Sequence, residues 1–334
     1  MNQNLYGKLC QLLAEYKKCN LITVTEKMGE EKEIVKEKYI LKEGEDGFSY
    51  VPQIKKNGRK TLYLEPVARK ERLIILGGGH ISRALCSFAA KTGFSPWIID
   101  ERREFANRER FPDAEEVIAA PYMDAMDYVK INAEDYVAII TRGHSCDGDC
   151  LLHILNHELP RYLGMIGSRS RVKAQFELFK SQGVPEEKLA LVHNPIGLNI
   201  GGVTPEEIAI SILAELIQEK RLNKQEQYIQ TDLDEYMMEV IAKNERPAAV
   251  ATIVRASGST PRKEGAKMIV FEDGTLVGSI GGGLGENVVM KRAQKLIGTG
   301  GSEVFPFVMD ADVAARDGMA CGGNMDVLIE DLSN

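Results

Sequence analysis

The sequence lacks the features that mark several classes of protein. No apolar run approaches the roughly 20 residues that a membrane-spanning helix needs, so no membrane partner is expected. Positive charge is not in excess. With 42 Lys and Arg against 49 Asp and Glu the net charge is −7, and a nucleic-acid partner, which would need a basic face, is not expected. Cysteine is sparse. The six residues, at 10, 19, 86, 146, 150 and 321, are scattered. They do not resemble a disulfide framework, and a reducing cytoplasm is the simplest home. The opening residues Met1 to Tyr6 lack a secretory-signal pattern. What is present, over 334 residues with 44% hydrophobic and 27% charged, is the composition of a globular protein with room for two or three domains.

Glycine, by contrast, stands where strands give way to helices. Leu73, Ile74, Ile75 and Leu76 are consecutive large apolar residues and read as a strand buried on both faces. Gly77, Gly78 and Gly79 follow at once. Ile81, Leu85, Cys86, Phe88 and Ala89 then recur at helical spacing. Gly77 suits a tight turn, Gly79 lets a ligand approach the backbone, and Ser82 takes the third position of a G-x-G-x-x-[GA]-like pattern. The helix N-terminus offers unpaired N–H groups and the positive end of its dipole to a phosphate. Trp97 to Asp100 reads as a second short strand, ending in an acid about 20 residues on, where a ribose-hydroxyl partner belongs. A plain strand–turn–helix, with its glycines serving packing, explains the same letters without a ligand.

Taken in order, the chain begins with a small α+β segment over 1–69. Residues 5–17 read as an amphipathic helix and Leu21 to Thr25 as a strand. A charged segment follows over 26–47, then short strands near 48–54 and 61–64. Residues 12–35 echo 240–270 in the order helix, charged turn, strand, without the later stretch's glycine-rich chemistry. Either a degenerate half-repeat or chance accounts for that. Residues 70–222 alternate strand and helix, with further strands at 117–120, 136–140, 162–166 and 189–192. The expectation is an α/β, Rossmann-like, doubly wound parallel sheet that binds a dinucleotide or related cofactor. Polar motifs follow its strands: Thr141 to His144, Gly167 to Arg171, and His193 to Gly197. Thr204, Pro205, Glu206 and Glu207 form a capping box with proline at the first helical position, and the helix it opens runs to about Arg221. Residues 223–235 are polar and read as a linker.

The region 236–334 reads as a smaller, glycine-rich α+β domain. It has a helix at 236–244, a strand at 249–254, a polar turn Ser257 to Arg262, and a hairpin around Asp273 and Gly274. A second glycine loop, Gly278 to Glu286, enters a helix at 287–297. Ala320, Cys321, Gly322 and Gly323 lead into an alternating strand at 325–330.

These motifs together resemble the XdhC/CoxI family of molybdenum-hydroxylase accessory proteins. The resemblance rests on LGGGHIS, IIDERREFANRERFP, ITRGH..D, YLGMIGSRSRV and NPIGLNIGGVTPEEIAISILAEL in the central region. It rests on SGSTPRKEGAKM, GSIGGGLGE and CGG in the last, and covers about 70–330. The order of the two modules is the reverse of the family's usual one, with an additional N-terminal segment. Leu284 stands where one branch has cysteine. The Gly281-Gly282-Gly283 form is that of the branch serving xanthine dehydrogenase.

The resemblance implies a cytoplasmic maturation chaperone rather than an enzyme with a substrate of its own. It would bind the molybdenum cofactor, as molybdopterin or its cytosine dinucleotide form, support its sulfuration by a cysteine desulfurase, and deliver it to an apo molybdenum hydroxylase like xanthine dehydrogenase. A homodimer is implied as well. The implied cofactor contacts are Gly77, Gly79, His80, Ser82, Asp100, Arg102, His144, Ser168 and Arg169 in the central region. In the last they are Ser259, Arg262, Gly282, Gly283, Glu286 and Cys321.

Several of these residues have plainer explanations. Cys321 suits a contact to molybdenum or sulfur, or equally a small residue at a strand start. Glu286 reads as an acid complementing a helix dipole, and Arg262 as an anion contact or an exposed arginine. Cys146, Cys150, His153 and His157, with His144 just before them, invite comparison with a metal site. Their spacing matches no standard zinc pattern, and Asp147 as a helix cap with leucines as core explains most of the stretch. The rival function is an NAD(P)-dependent oxidoreductase using the same turn and Asp100. Against it, His80 and His144 are the only acid/base candidates near the strand ends. A regulator that binds a nucleotide without chemistry is a third reading.

Overall fold

A computed structural model describes residues 2–29, 32–222, 231–308 and 323–333. The chain forms two units: Met1–Arg69 together with Gln227–Asn334, and Lys70–Glu226. The N-terminal segment is therefore not a body of its own.

Helix α1 (Asn2–Glu15) buries Tyr6, Leu9 and Leu13 along one side. It is followed by β1 (Lys18–Met28), β2 (Lys32–Lys42), β3 (Gln53–Asn57) and β4 (Lys60–Ala68), an antiparallel sheet in the order β2-β1-β4-β3. The charged connector expected over 26–47 is largely the strand β2. It lies at a sheet edge and is only half-buried, so it carries no apolar alternation to betray it.

The second unit holds β5 (Glu71–Leu76), α2 (His80–Ala90), β6 (Phe94–Asp100), β7 (Glu116–Ala119) and α3 (Tyr122–Val129). It continues with β8 (Tyr136–Ile139), α4 (His144–Leu155), β9 (Tyr162–Met165), α5 (Arg169–Ser181), α6 (Glu186–Leu189), β10 (Val192–His193) and α7 (Pro205–Leu222). The six strands are parallel, in the order β10-β9-β8-β5-β6-β7. From β5 the chain winds outward through β6 and β7. It then returns to the other side of β5 and winds outward again through β8, β9 and β10. Such a reversal leaves a crevice at the strands' C-terminal ends, between β5 and β8. Helices α3, α4 and α5 cover one face and α2 and α7 the other, which is why Leu73 to Leu76 are wholly buried. The strand expected at 189–192 is shorter: Leu189 ends α6, and only Val192 and His193 join the sheet.

The remaining elements are α8 (Glu235–Ala242), β11 (Ala248–Gly258), β12 (Lys267–Phe271), β13 (Leu276–Gly278), α9 (Gly283–Leu296), β14 (Ser302–Val308) and β15 (Gly323–Asp331). They build an antiparallel sheet in the order β13-β12-β11-β15-β14. Asp234 caps α8, its carboxylate accepting from Met237 N. Helix α9 packs Val289 and Ala293 on one face of this sheet. The other face shares a core with α1 and β1, through Leu9, Leu21, Met238 and Val250.

Candidate functional site

The glycine turn after β5 divides into positions that must be glycine and one that is open. Gly77 has φ +113°, and a Cβ there would lie 2.1 Å from the Ile140 carbonyl oxygen. Only glycine lets β5 pass so close to the end of β8. At Gly78 a Cβ would meet the Phe105 carbonyl oxygen at 2.2 Å. At Gly79 it would meet nothing within 4 Å, and the backbone is extended (φ −70°, ψ −169°). Gly79 is also the N-cap of α2 and brings no capping side chain, so the first N–H groups of the helix have no intrahelical acceptor. Ser82, in that first turn, is fully buried, and its Oγ has no hydrogen-bond partner. Open space, orphan amides and a buried unpaired hydroxyl suit an anion approaching Gly79. His80 is exposed at the helix's first residue.

Asp100 does not stand where a ribose could reach it. Its side chain is fully buried. Oδ2 accepts from Gly78 N at 2.7 Å and Arg102 Nη2 at 2.8 Å, and Oδ1 accepts from Arg102 N at 3.0 Å and Nε at 2.9 Å. Burial alone would push this carboxyl up. The hydrogen bonds from Arg102 and Gly78 outweigh it and hold the group below its ordinary value. The expected ribose contact is thus a clamp that fixes the glycine turn from behind. Arg102 is spent on the same clamp and lies 3.8 Å over the Phe105 ring, so it is not a free phosphate contact. Arg110, which no local pattern singles out, donates from Nε to the Gly78 carbonyl at 3.0 Å. Its one sign in the sequence is its place inside the long motif IIDERREFANRERFP.

Two neighbouring strands deliver further expected residues to the same edge. After β8, Thr141 donates from N and Oγ1 to Asp147 Oδ1, at 3.0 and 2.6 Å. Asp147 is therefore not the helix cap expected. Gly143 is the N-cap of α4, and Asp147 reaches back from within the helix to fix the loop. His144 is the first residue of α4, and its side chain lies outside the described residues. After β9, Ser168 is the exposed N-cap of α5 and Arg169 its first residue, with the Arg169 side chain likewise outside the described residues. Strands β5, β8 and β9 are adjacent, so the starts of α2, α4 and α5 all lie at one edge of the sheet.

A network around β9, β10 and α7 was not among the expected site residues. Tyr162 donates its hydroxyl to Glu215 Oε2 at 2.5 Å, Gly197 N donates to the same oxygen at 2.7 Å, and His193 Nδ1 lies 3.2 Å from Oε1. The hydrogen bond to Glu215 holds His193 above its ordinary value against the opposing pull of burial. These groups are far apart in sequence and only the fold joins them.

In the other unit three expected motifs meet at one end of the β11 sheet. A Cβ on Gly281 would lie 2.9 Å from Pro261 Cβ, and one on Gly323 would lie 2.8 Å from Ser257 O and Thr260 Cγ2. The turn 257–262 therefore touches both the second glycine loop and the start of β15. Ser259, Gly282 and Gly283 are exposed there, and a Cβ on Gly282 would meet nothing within 4 Å. Glu286 plays an internal part: its Oε2 accepts from Ser279 Oγ at 2.5 Å, Gly282 N at 3.1 Å and Ile280 N at 3.2 Å. Through this oxygen it holds the glycine loop in shape. Arg262 is paired with both oxygens of Asp232, at 2.5 and 2.6 Å, so the expected anion contact is already neutralised. Cys321 lies outside the described residues.

The alternative metal set does not assemble. Cys150 is fully buried in the core, where burial pushes its thiol up to about 12. Cys146 packs against the same core. His153 faces Asp127, Nε2 to Oδ1 at 3.2 Å, and stacks on His157 with ring centroids 4.4 Å apart. Among the described residues no group of three or more potential ligands comes together, and no helix is long and apolar enough to cross a membrane.

The strand order and the glycine turn define a Rossmann-like α/β unit, joined in one chain to a glycine-loop α+β unit. Residues 73–216 match the family model described as the XdhC Rossmann domain, and residues 241–308 match that of the XdhC and CoxI family. The chain belongs to the XdhC/CoxI family. It is 34% identical over 164 residues to the uncharacterized protein YqeB of Escherichia coli, covering 49% of this chain and 30% of that protein. It is 29% identical over 161 residues to a probable xanthine dehydrogenase subunit of Bacillus subtilis, covering 48% and 46%. The chain thus spans less than half the length of both curated relatives. A solved xanthine dehydrogenase from Bacillus halodurans is 28% identical, with 64% of this chain and 63% of that one covered at a TM-score of 0.49.

Proposed function

We propose that this protein is an accessory chaperone for a molybdenum hydroxylase of the xanthine-dehydrogenase kind, holding the molybdenum cofactor before it enters the client. The observation that carries this reading is the turn at Gly79: a backbone position where a Cβ would meet nothing within 4 Å, at an uncapped helix start, with the buried and unpaired Ser82 Oγ in the same first turn. That set suits a phosphate or pyrophosphate, which both molybdopterin and its cytosine dinucleotide form carry. In this reading the amides at the start of α2 bind the phosphate, and Ser82 Oγ supplies a further donor within reach of the same helix turn. The α4 and α5 N-termini, opened by His144 and Arg169, lie at the same sheet edge, and both residues are offered as further contacts. Asp100, Arg102 and Arg110 position the turn without touching the ligand.

The cofactor, when bound, supplies the molybdenum chemistry of the client. The exposed Ser259, Gly282 and Gly283 are offered as a second contact surface, and Cys321, two residues before Gly323, as the thiol that meets molybdenum or sulfur. A cysteine desulfurase and a second copy of the chain are the partners this reading calls for, and a cytoplasmic setting goes with them. The rival NAD(P) reading loses its main residue, since Asp100 has no oxygen left for a ribose.

The test is to purify the protein from cells competent in molybdenum-cofactor synthesis, reading metal content and fluorescence of the oxidised pterin. Wild type is expected to carry pterin. Gly79→Val, whose Cβ would meet no protein atom within 4 Å, is expected to lose at least tenfold of it while the fold is kept, its melting temperature lowered by only a few degrees. Cys321→Ala is expected to lose molybdenum or sulfur preferentially. Pterin-free wild type carrying tight NAD(H) would overturn the reading in favour of the oxidoreductase.

A further inference from the structure

The N-terminal lobe and the C-terminal lobe of the first unit are built on one plan. Each opens with a helix, α1 or α8, leading into a central strand, β1 or β11. The central strand pairs antiparallel with the next strand, β2 or β12, and with the last, β4 or β15. The sheet orders β2-β1-β4-β3 and β12-β11-β15-β14 superimpose term by term, with β13 as an addition at one edge. The agreement extends to register. Thr23 pairs with Lys38 across β1 and β2, and Thr252 with Lys267 across β11 and β12. Leu21 pairs with Glu65, and Val250 with Glu330. Core residues correspond in the same way: Leu9 to Met238, Cys19 to Ala248, Leu21 to Val250, and Val67 to Leu332, all buried in one shared cluster.

The contacts between the lobes are reciprocal. Lys38 of the first lobe bonds Glu330 of the second at 2.6 Å, and Lys267 of the second bonds Glu65 of the first at 2.9 Å. Lys38 corresponds to Lys267 and Glu65 to Glu330, so each contact is the other with the lobes exchanged. Both lysines are buried, at 7% and 1% exposure of the side chain. Residue i meeting j while j meets i is the signature of an interface between two copies related by a twofold axis. Two unrelated lobes that merely pack together have no reason to produce it.

What differs is the chemistry. In the first lobe β1 ends at Met28 and β2 begins at Lys32, whereas in the second Ser259 to Ala266 lie between β11 and β12. The glycine loop and α9, between β13 and β14, have no counterpart among the described residues of the first lobe. We infer that residues 1–69 are a second copy of the C-terminal lobe, stripped of its functional loops, occupying the place of a partner copy. The face carrying Lys267 and Glu330 is a self-pairing surface whose natural partner is a second copy of the same lobe, here supplied within the chain.

The full-length double variant Lys38→Glu with Glu65→Lys sets like charges against Glu330 and Lys267 and evicts the first lobe. The uncovered face still carries its own Lys267 and Glu330, which complement those of a second molecule. Sedimentation velocity and native mass spectrometry at micromolar concentration are expected to show a particle of twice the wild-type mass. Adding Lys267→Glu and Glu330→Lys re-forms both pairs within the chain with reversed polarity, and is expected to restore the wild-type mass and melting temperature. A double variant that never exceeds the wild-type mass, folded or not, would overturn the inference. So would a fourfold variant that fails to recover both readouts.

Discussion

Glycines that look alike in the sequence do different work. Gly77 is required by the Ile140 carbonyl and by its positive φ, whereas Gly79 is required by nothing in the protein. Gly77→Ala is therefore expected to cost about 3 kcal/mol, and Gly79→Val about 1 kcal/mol, the cost of a β-branched residue at a helix N-cap, both read by denaturant unfolding. Asp100→Ala would leave Arg102 and Gly78 N unpaired and is expected to cost about 3–5 kcal/mol. Because the folded pKa of Asp100 is depressed, its contribution is present above the unfolded carboxyl value and is lost as pH falls through the folded one. Lys130 holds φ +51° at the end of α3. Lys130→Gly relieves that strain against a smaller entropic cost, and is expected to stabilise by about 0.5 kcal/mol. At this scale the turn was legible in the letters but the role of Asp100 was not. An acid at a strand end reads the same whether it faces a ribose or an arginine two residues on.

Elements were legible where a period or a cap marked them. The capping box at α7 forms as expected, with Glu207 Oε2 accepting from Thr204 N at 3.0 Å and Thr204 Oγ1 accepting from Glu207 N at 3.3 Å. Strand β2 escaped notice because it is a half-exposed edge strand with no apolar alternation, and edge strand β14 because Pro306 interrupts its Phe305–Phe307 alternation. The Tyr162–His193–Glu215 network joins β9, β10 and α7 and was invisible for another reason: hydrogen bonds across large sequence separations leave no local pattern. It has a pH signature. His193 is raised above 6.5 by its bond to Glu215, so its contribution is full below the unfolded value and fades as pH rises through the folded one. The stability gap between wild type and His193→Gln is thus expected to be widest below pH 6.5 and to narrow at higher pH. A gap independent of pH would remove the ion pair from the account.

Across the whole molecule, the doubly wound parallel sheet of the Rossmann unit followed from the alternation of apolar runs, helices and glycine turns, and its strand order came only with the fold. The joining of 1–69 to 227–334 did not. An echo between two helix–strand stretches was readable, but reciprocal pairs such as Lys38–Glu330 and Lys267–Glu65 exist only once both lobes are folded. The proposed service to a hydroxylase, rather than turnover of a substrate, is open to test by reconstitution. A molybdenum hydroxylase made in cells lacking this protein would be mixed with the cofactor-loaded chain and assayed. Activity is expected to rise with loaded wild type and not with Gly79→Val. Full hydroxylase activity without the chain, or steady NADH oxidation by the chain alone, would contradict it.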